Sequence, residues 1–194
     1  MSKKITIACV GDSITEGSFN PAPAVNSYPS QLQRLLGNDY EVANFGISSA
    51  TLLSNGNFPY IKQRVYEEAL AFNPEIILIK LGTNDTKPEN WVYENEFVKD
   101  YTSLIHSFQT LSTKPRIILI TPVTIFRNGT DNRNQVLEQE MLPFLKEVAA
   151  TNGCECLDLF TPTKSLGSYF PDGVHPDIAG TKLLVQTIYD YFIK

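Results

Sequence analysis

Over its 194 residues the chain has no apolar run approaching ~18 residues and no basic block of about five, which excludes a membrane-spanning helix and an electrostatic footprint for nucleic acid. Cysteine is scarce. The three present, Cys9, Cys154 and Cys156, are odd in number and two sit in apolar runs, so a disulfide framework is not expected. Histidine is scarcer still, with His106 and His175 alone, and Cys154-Glu155-Cys156 has no second Cys/His pair nearby to complete the roughly four ligands of a structural zinc site. Core packing is the expected role of both thiols. Gly-x-Gly-x-x-Gly, Walker A and EF-hand patterns are missing as well, so the sequence predicts no cofactor and no metal. The opening Met1-Ser2-Lys3-Lys4 runs into a strand-like segment without the apolar core of a leader peptide. That predicts a cytoplasmic chain as written, periplasmic or secreted only where a leader has been removed.

What is present fits one globular domain spanning 1–194, weakly acidic at a net charge of −5, with 42% hydrophobic and 19% charged residues. Short β-branched or apolar runs at 4–10, 40–45, 75–81, 116–121 and 154–159 end near Gly, Pro, Asn or Asp and predict five strands. Between them, helical spacing marks Tyr28-Leu32-Leu35-Leu36, Ile61-Val65-Ala69, Phe97-Tyr101-Leu104-Ile105-Phe108 and Val136-Met141-Leu145-Val148, with Ile178-Leu183-Leu184-Ile188-Phe192 after the last. Alternation of apolar strands with helices predicts an α/β fold, a three-layer α/β/α sandwich around a five-stranded parallel sheet. Its ligand crevice lies beyond the carboxyl ends of the strands, where Ser13, Gly46, Asn84 and Thr121-Pro122 emerge.

Each of these positions has two readings. Ser13-Ile14-Thr15-Glu16 fits a capping box, and equally a nucleophile lifted above the sheet at a helix N-terminus, where backbone dipoles favour developing negative charge. Asp172-Gly173 reads as a turn leading into the last helix. It also places a carboxylate three residues before His175, so that one loop presents an orienting acid and a base together. Gly82-Thr83-Asn84-Asp85 is a turn or the source of an amide donor, and Gly46 allows a backbone N–H to come close to a ligand. His106, on an apolar helix, reads as structural. A nucleophile, an oriented base and two donors make a complete acyl-transfer set.

The blocks Gly11-Asp12-Ser13, Asn44-Phe45-Gly46, Gly82-Thr83-Asn84-Asp85 and Asp172-Gly173-Val174-His175-Pro176 occur in the order found in the GDSL, or SGNH, esterase and acylhydrolase superfamily, which the chain resembles over essentially its whole length. Ile14 replaces the leucine of the family name. The resemblance implies a flavodoxin-like fold, a Ser13-His175-Asp172 triad, and an oxyanion hole from the Ser13 and Gly46 N–H groups and the Asn84 side chain. Gly46-Ile47-Ser48-Ser49-Ala50 imitates Gly-x-Ser-x-Gly, but its last glycine is missing and no second Asp/His loop serves Ser48. The sequons at Asn84 and Asn128 read as coincidental, since a glycan on Asn84 would remove its donor.

The stretch 81–91 and the loop 48–60 resemble single-domain relatives that deacetylate carbohydrates, sialate O-acetylesterase-like proteins among them. The expected substrate is therefore a small-molecule or glycan ester, with Asn55, Asn57, Phe58, Trp91 and Phe126 as candidate rim residues. A lysophospholipase or thioesterase of the same superfamily, and a non-catalytic glycan binder, are the alternatives. Oligomeric state is not set by the sequence.

Overall fold

The computed structural model describes residues 3–127 and 131–192, so the second sequon, at 128–130, lies outside the described residues. Strands β1 (Ile5–Gly11), β2 (Tyr40–Gly46), β3 (Ile76–Lys80), β4 (Arg116–Ile120) and β5 (Glu155–Leu157) form one all-parallel sheet in the order β2-β1-β3-β4-β5. Alternate side chains of each strand point to opposite faces, which is why the runs are apolar throughout. Val10, Ile77, Ile79 and Leu119 face one core and Ile7, Cys9, Leu78 and Ile118 the other.

The numbered helices are α1 (Ser13–Glu16), α2 (Tyr28–Leu36), α3 (Arg64–Phe72), α4 (Phe97–Gln109), α5 (Arg133–Val136), α6 (Leu142–Thr151) and α7 (Ile178–Phe192), with further one-turn α-helices at Pro23–Asn26, Pro88–Trp91 and Phe160–Thr163 and 3₁₀ turns between them. Ala69 of α3, Tyr101 and Phe108 of α4 and Leu145 and Val148 of α6 cover the first face, whereas Leu32 of α2 and Leu184 and Ile188 of α7 cover the second. The result is the expected three-layer α/β/α sandwich.

Three boundaries differ from the sequence reading, each for a local reason. β5 is shorter than 154–159 because the Thr121 hydroxyl accepts the Leu159 and Phe160 N–H groups at 2.9 and 3.0 Å, turning the chain out of the ladder. Ile61 falls in a 3₁₀ turn, and α3 starts only after Gln63, whose extended backbone (φ −97°, ψ 146°) interrupts the helix. The apolar period through Val136 and Met141 is continuous, yet a π turn at Leu137–Met141 separates α5 from α6. Pro143, two residues past Met141, has no N–H to donate back into that turn, so the regular ladder is already broken there.

β1 lies between β2 and β3, so the chain crosses from one side of β1 to the other, and this switch point opens a crevice at the strand ends. Gly11 is in register with Gly46 on one side and Lys80 on the other. Gly46 is required there by space. A Cβ would stand 2.2 Å from the Glu16 nitrogen and 2.7 Å from the Thr15 carbonyl carbon, because α1 rests on the end of β2. Gly46→Ala is expected to destabilise the fold by about 1–3 kcal/mol through overpacking, read as a lower urea midpoint; an unchanged midpoint would show that α1 does not depend on this seat.

Candidate active site

β1 delivers the chain to Asp12, whose carboxylate accepts the Ile14 N–H at 3.0 Å and so caps α1. Ser13 is thus the first residue of the helix, and the capping box drawn from Ser13 and Glu16 is replaced by an aspartate cap. Glu16 turns instead to the β2 end, where it accepts the Ser48 N–H at 2.8 Å and the hydroxyls of Ser48 and Ser18. Ser48, the imitation nucleophile, is therefore tied up as a loop serine.

Ser13 is 7% exposed, and its Oγ lies 2.8 Å from His175 Nε2 across 162 positions of sequence. The opposite ring nitrogen, Nδ1, lies 2.6 Å from Asp172 Oδ2. Asp172 Oδ1 accepts the Val174 and His175 N–H groups at 2.9 and 2.7 Å, so the loop folds around its own carboxylate. Gly173 makes this turn with φ 78°, and its carbonyl accepts the Phe126 N–H at 2.7 Å. Desolvation pushes the Asp172 carboxyl up, but hydrogen bonds from the His175 backbone and ring and from Val174 N–H outweigh it and hold its pKa below the usual carboxylate range. A charged Asp172 fixes the proton on Nδ1 and leaves Nε2 free to accept from Ser13. His106 is exposed on α4 and belongs to neither core, so the structural role read from its apolar neighbours is not what the fold gives it.

The donors differ from the sequence reading in one respect. Asn84, 8% exposed, gives one amide hydrogen to the Ala50 carbonyl at 3.1 Å, which orients the group and leaves its second hydrogen available. The Gly46 N–H, by contrast, is already donated to the Asn44 side-chain oxygen at 2.9 Å, so it is not free to meet a ligand as the sequence reading had it. Ser49 lies three residues further along the same segment. It adopts a left-handed backbone (φ 68°) in the turn closed by Ala50 N–H to the Ile47 carbonyl, is exposed, and its N–H has no acceptor among the described residues. The turn is anchored on both sides, by Glu16 at Ser48 and by Asn84 at Ala50.

Beneath the site lies machinery that the sequence reading did not name. Lys80, 1% exposed at the end of β3, stands 3.5 Å from the fully buried Asp12 carboxylate and 3.5 Å from the Thr83 hydroxyl. Burial pushes the Lys80 ammonium down while Asp12 pushes it up, with burial the larger effect. Arg133 of α5 donates to the Thr83 carbonyl at 2.6 Å and the Thr86 hydroxyl at 2.9 Å, and Asn90 donates to the Asn84 carbonyl at 2.9 Å. Asp85 accepts the Leu52 and Leu53 N–H groups at 3.0 and 2.8 Å, although burial pushes its pKa up to about 6. The Asn84 turn is thereby clamped from three directions.

Among the candidate rim residues, Trp91 is buried with its Nε1–H on Glu140 at 2.7 Å, Asn55 pairs with Glu96 at 2.8 Å, and Asn57 donates its backbone N–H to Asn90 at 2.8 Å. Phe58 is half-buried against the core. Phe126 alone flanks the Asp172 loop, in a cavity of about 470 Å³ shared with Arg127, Asp131, Gly167, Phe170 and Pro171. Cys9, Cys154 and Cys156 are free thiols packed in or against the two cores. No group of three or more potential metal ligands, and no helix long and apolar enough to cross a membrane, occurs among the described residues.

The model of the GDSL-like Lipase/Acylhydrolase family matches residues 9–183, a span that contains all four blocks. The chain belongs to that family. A curated relative, the acetylxylan esterase of Xylanibacter ruminicola, is 36% identical over 202 residues, covering 95% of this chain and 42% of that protein. The chain therefore spans less than half the length of that relative. Among solved structures, the acetylxylan esterase Axe2 of Geobacillus stearothermophilus matches with TM-score 0.75 at 24% identity, over 98% of this chain and 95% of its own. A carbohydrate acetylesterase family member from Sinorhizobium meliloti matches with TM-score 0.74 at 21% identity, over 97% of each chain. At these identities the likeness establishes the fold of the family member.

Removing one partner of a buried ion pair costs about 3–5 kcal/mol, so Lys80→Met is expected to lower stability by that amount while Lys80→Met with Asp12→Asn recovers a substantial part. Urea titration of the three proteins reads this directly. Equal losses in the single and double variants would dismiss the pair as a structural tie.

Proposed function

We propose that the chain is a serine esterase that removes small acyl groups, acetyl foremost, from a carbohydrate through an acyl-enzyme. The observation that carries this reading is the unbroken hydrogen-bonded series from Ser13 Oγ through the His175 ring to Asp172, at 2.8 and 2.6 Å, set at the helix N-terminus above the switch point. In the first half-reaction His175 Nε2 takes the Ser13 proton as Oγ attacks the ester carbonyl, and the carbonyl oxygen becomes an oxyanion. His175 then protonates the departing sugar oxygen. In the second half-reaction water attacks the acyl-enzyme by the same proton route and releases the acid. The oxyanion is received by the Ser13 N–H, the free hydrogen of Asn84 Nδ2 and the Ser49 N–H, groups already oriented by their neighbours.

The acetyl preference draws on the relatives, which include acetylxylan esterases and a carbohydrate acetylesterase family member. The carbohydrate assignment draws on the relatives. The Xylanibacter ruminicola protein and Axe2 are acetylxylan esterases, and solved Axe2 variants with a serine or a histidine replaced by alanine are described as catalytic mutants. The polar cavity beside Asp172, walled by Phe126 and Arg127, is a suitable seat for the sugar on the leaving-group side.

Ser13→Ala is expected to abolish both fluorophosphonate labelling and acetate release from acetylated xylo-oligosaccharides, and equal labelling of wild type and variant would overturn the assignment. Asn84→Ala should retain labelling yet lose on the order of 10²- to 10³-fold in kcat. Across nitrophenyl esters the rate should be greatest for acetate and fall with chain length; a maximum at eight carbons or longer would move the protein to the lysophospholipases. Because the Asp172 carboxyl is held below the usual carboxylate range, its protonation should not limit activity at the pH where an ordinary carboxylate titrates, and a pH–rate profile that falls there would contradict this.

A further inference from the structure

Phe19 is the most conspicuous side chain near Ser13 that the reaction scheme leaves unused. Its ring is 61% exposed, which forfeits the burial that usually holds an aromatic in place. Yet it lies flat against the His175 imidazole, with ring centroids 3.6 Å apart and planes 15° from parallel. Two neutral rings avoid this close sandwich and prefer an offset or edge-on contact, because their negative faces oppose one another. A cation over a ring face reverses that sign and makes the arrangement attractive.

The stack is imposed by the backbone. Gly17 ends α1 in the left-handed conformation (φ 83°), and Asn20 N–H returns to the Gly17 carbonyl at 2.9 Å. Ser18, directly before Phe19, places its hydroxyl 2.5 Å from that of Ser48, and Asn20, directly after, donates its side-chain amide to the Thr181 hydroxyl of α7 at 3.1 Å. The ring is thereby delivered to His175 from two fixed ends.

We infer that Phe19 is a positioning residue for His175, one that holds the imidazole in line between Ser13 and Asp172 and stabilises the imidazolium formed when Nε2 takes the Ser13 proton. In the proposed ester hydrolysis the Ser13 Oγ–H bond breaks as an Oγ–carbon bond forms and the carbonyl π pair moves to oxygen; the return of that pair breaks the carbon–leaving-oxygen bond, and the imidazole gives that oxygen the proton it has carried. Asp172 meets the resulting charge at the ring edge and Phe19 meets it at the face. Other charged groups nearby are engaged elsewhere: Glu16 with Ser48, Asp177 with the Gly180 N–H at 2.8 Å, and Asp12 with Lys80. The Arg127 side chain packs where a Cβ on Gly173 would meet it, at 3.2 Å.

The kinetic part rests on the esterase reading, whereas the ring contact does not, so the test has two arms. Phe19→Leu keeps an apolar cover without a π face, Phe19→Ala removes both, and Phe19→Tyr restores the face. Following the His175 ring protons by NMR against pH in the whole chain, the Leu and Ala variants are expected to titrate about 0.4 to 0.7 pH unit lower than wild type, with Tyr matching it. On nitrophenyl acetate, plateau kcat should fall about two- to fivefold in Leu and Ala with KM unchanged, and recover in Tyr. A midpoint in Phe19→Leu equal to or higher than that of wild type would overturn the inference, since it would reduce Phe19 to a shield against water. Absence of ester turnover in wild type would remove the esterase reading, and the NMR arm would still decide the role of Phe19.

Discussion

The contact between the Lys80 ammonium and the Asp12 carboxylate joins the ends of two neighbouring strands inside the protein, at the point where both chains leave the sheet. Asp12 uses the same carboxylate oxygen to cap α1, so the ion pair and the helix start are one arrangement. Two buried charges without each other would be intolerable there, and their pairing limits how far the Ser13 turn and the Asn84 turn can drift apart. On the β2 side the limit is steric, since Gly46 lets α1 lie against the strand end. Together these contacts fix the first helical residue without burying it beyond reach.

The same economy runs through the polar network around the crevice. Arg133, Asn90 and Asp85 each bond to the backbone of the Asn84 turn or hold the neighbouring segment against it, and none of them is needed to touch a substrate. An amide donor stabilises charge well only if it need not reorganise as the charge appears, and buried, fully bonded surroundings supply that rigidity. The π turn before α6 belongs to the same scheme, because it brings Met141 against Gly82, where a Cβ would meet the Met141 sulfur at 2.8 Å.

Sequence alone reveals the layers and the groups that meet at the candidate site for physical reasons that also explain where it stops. Parallel strands buried on both faces must be apolar at every position, so Ile76–Lys80 and Arg116–Ile120 stand out unaided. Asp172 and His175 are visible because three residues of one loop bring them together. Ser49 is invisible by the same logic: its candidacy as a donor rests on a left-handed backbone and on an Asn44 side chain that occupies Gly46, neither of which is a property of residue type. Lys80 shows as a lone charge in an apolar run, but its partner lies on another strand. Trp91 and Asn57 drew attention as polar or aromatic loop residues, and prove to serve the packing of the loops themselves.

The pairing of Ser13 with His175 joins residues 162 positions apart, the first emerging after β1 and the second just before α7. During synthesis on the ribosome, a nascent chain displays Ser13 long before His175 exists to meet it. The two groups therefore meet as a late event, coincident with closure of the fold, and a polypeptide that stops short of His175 lacks the Ser13-His175-Asp172 hydrogen-bonded series altogether.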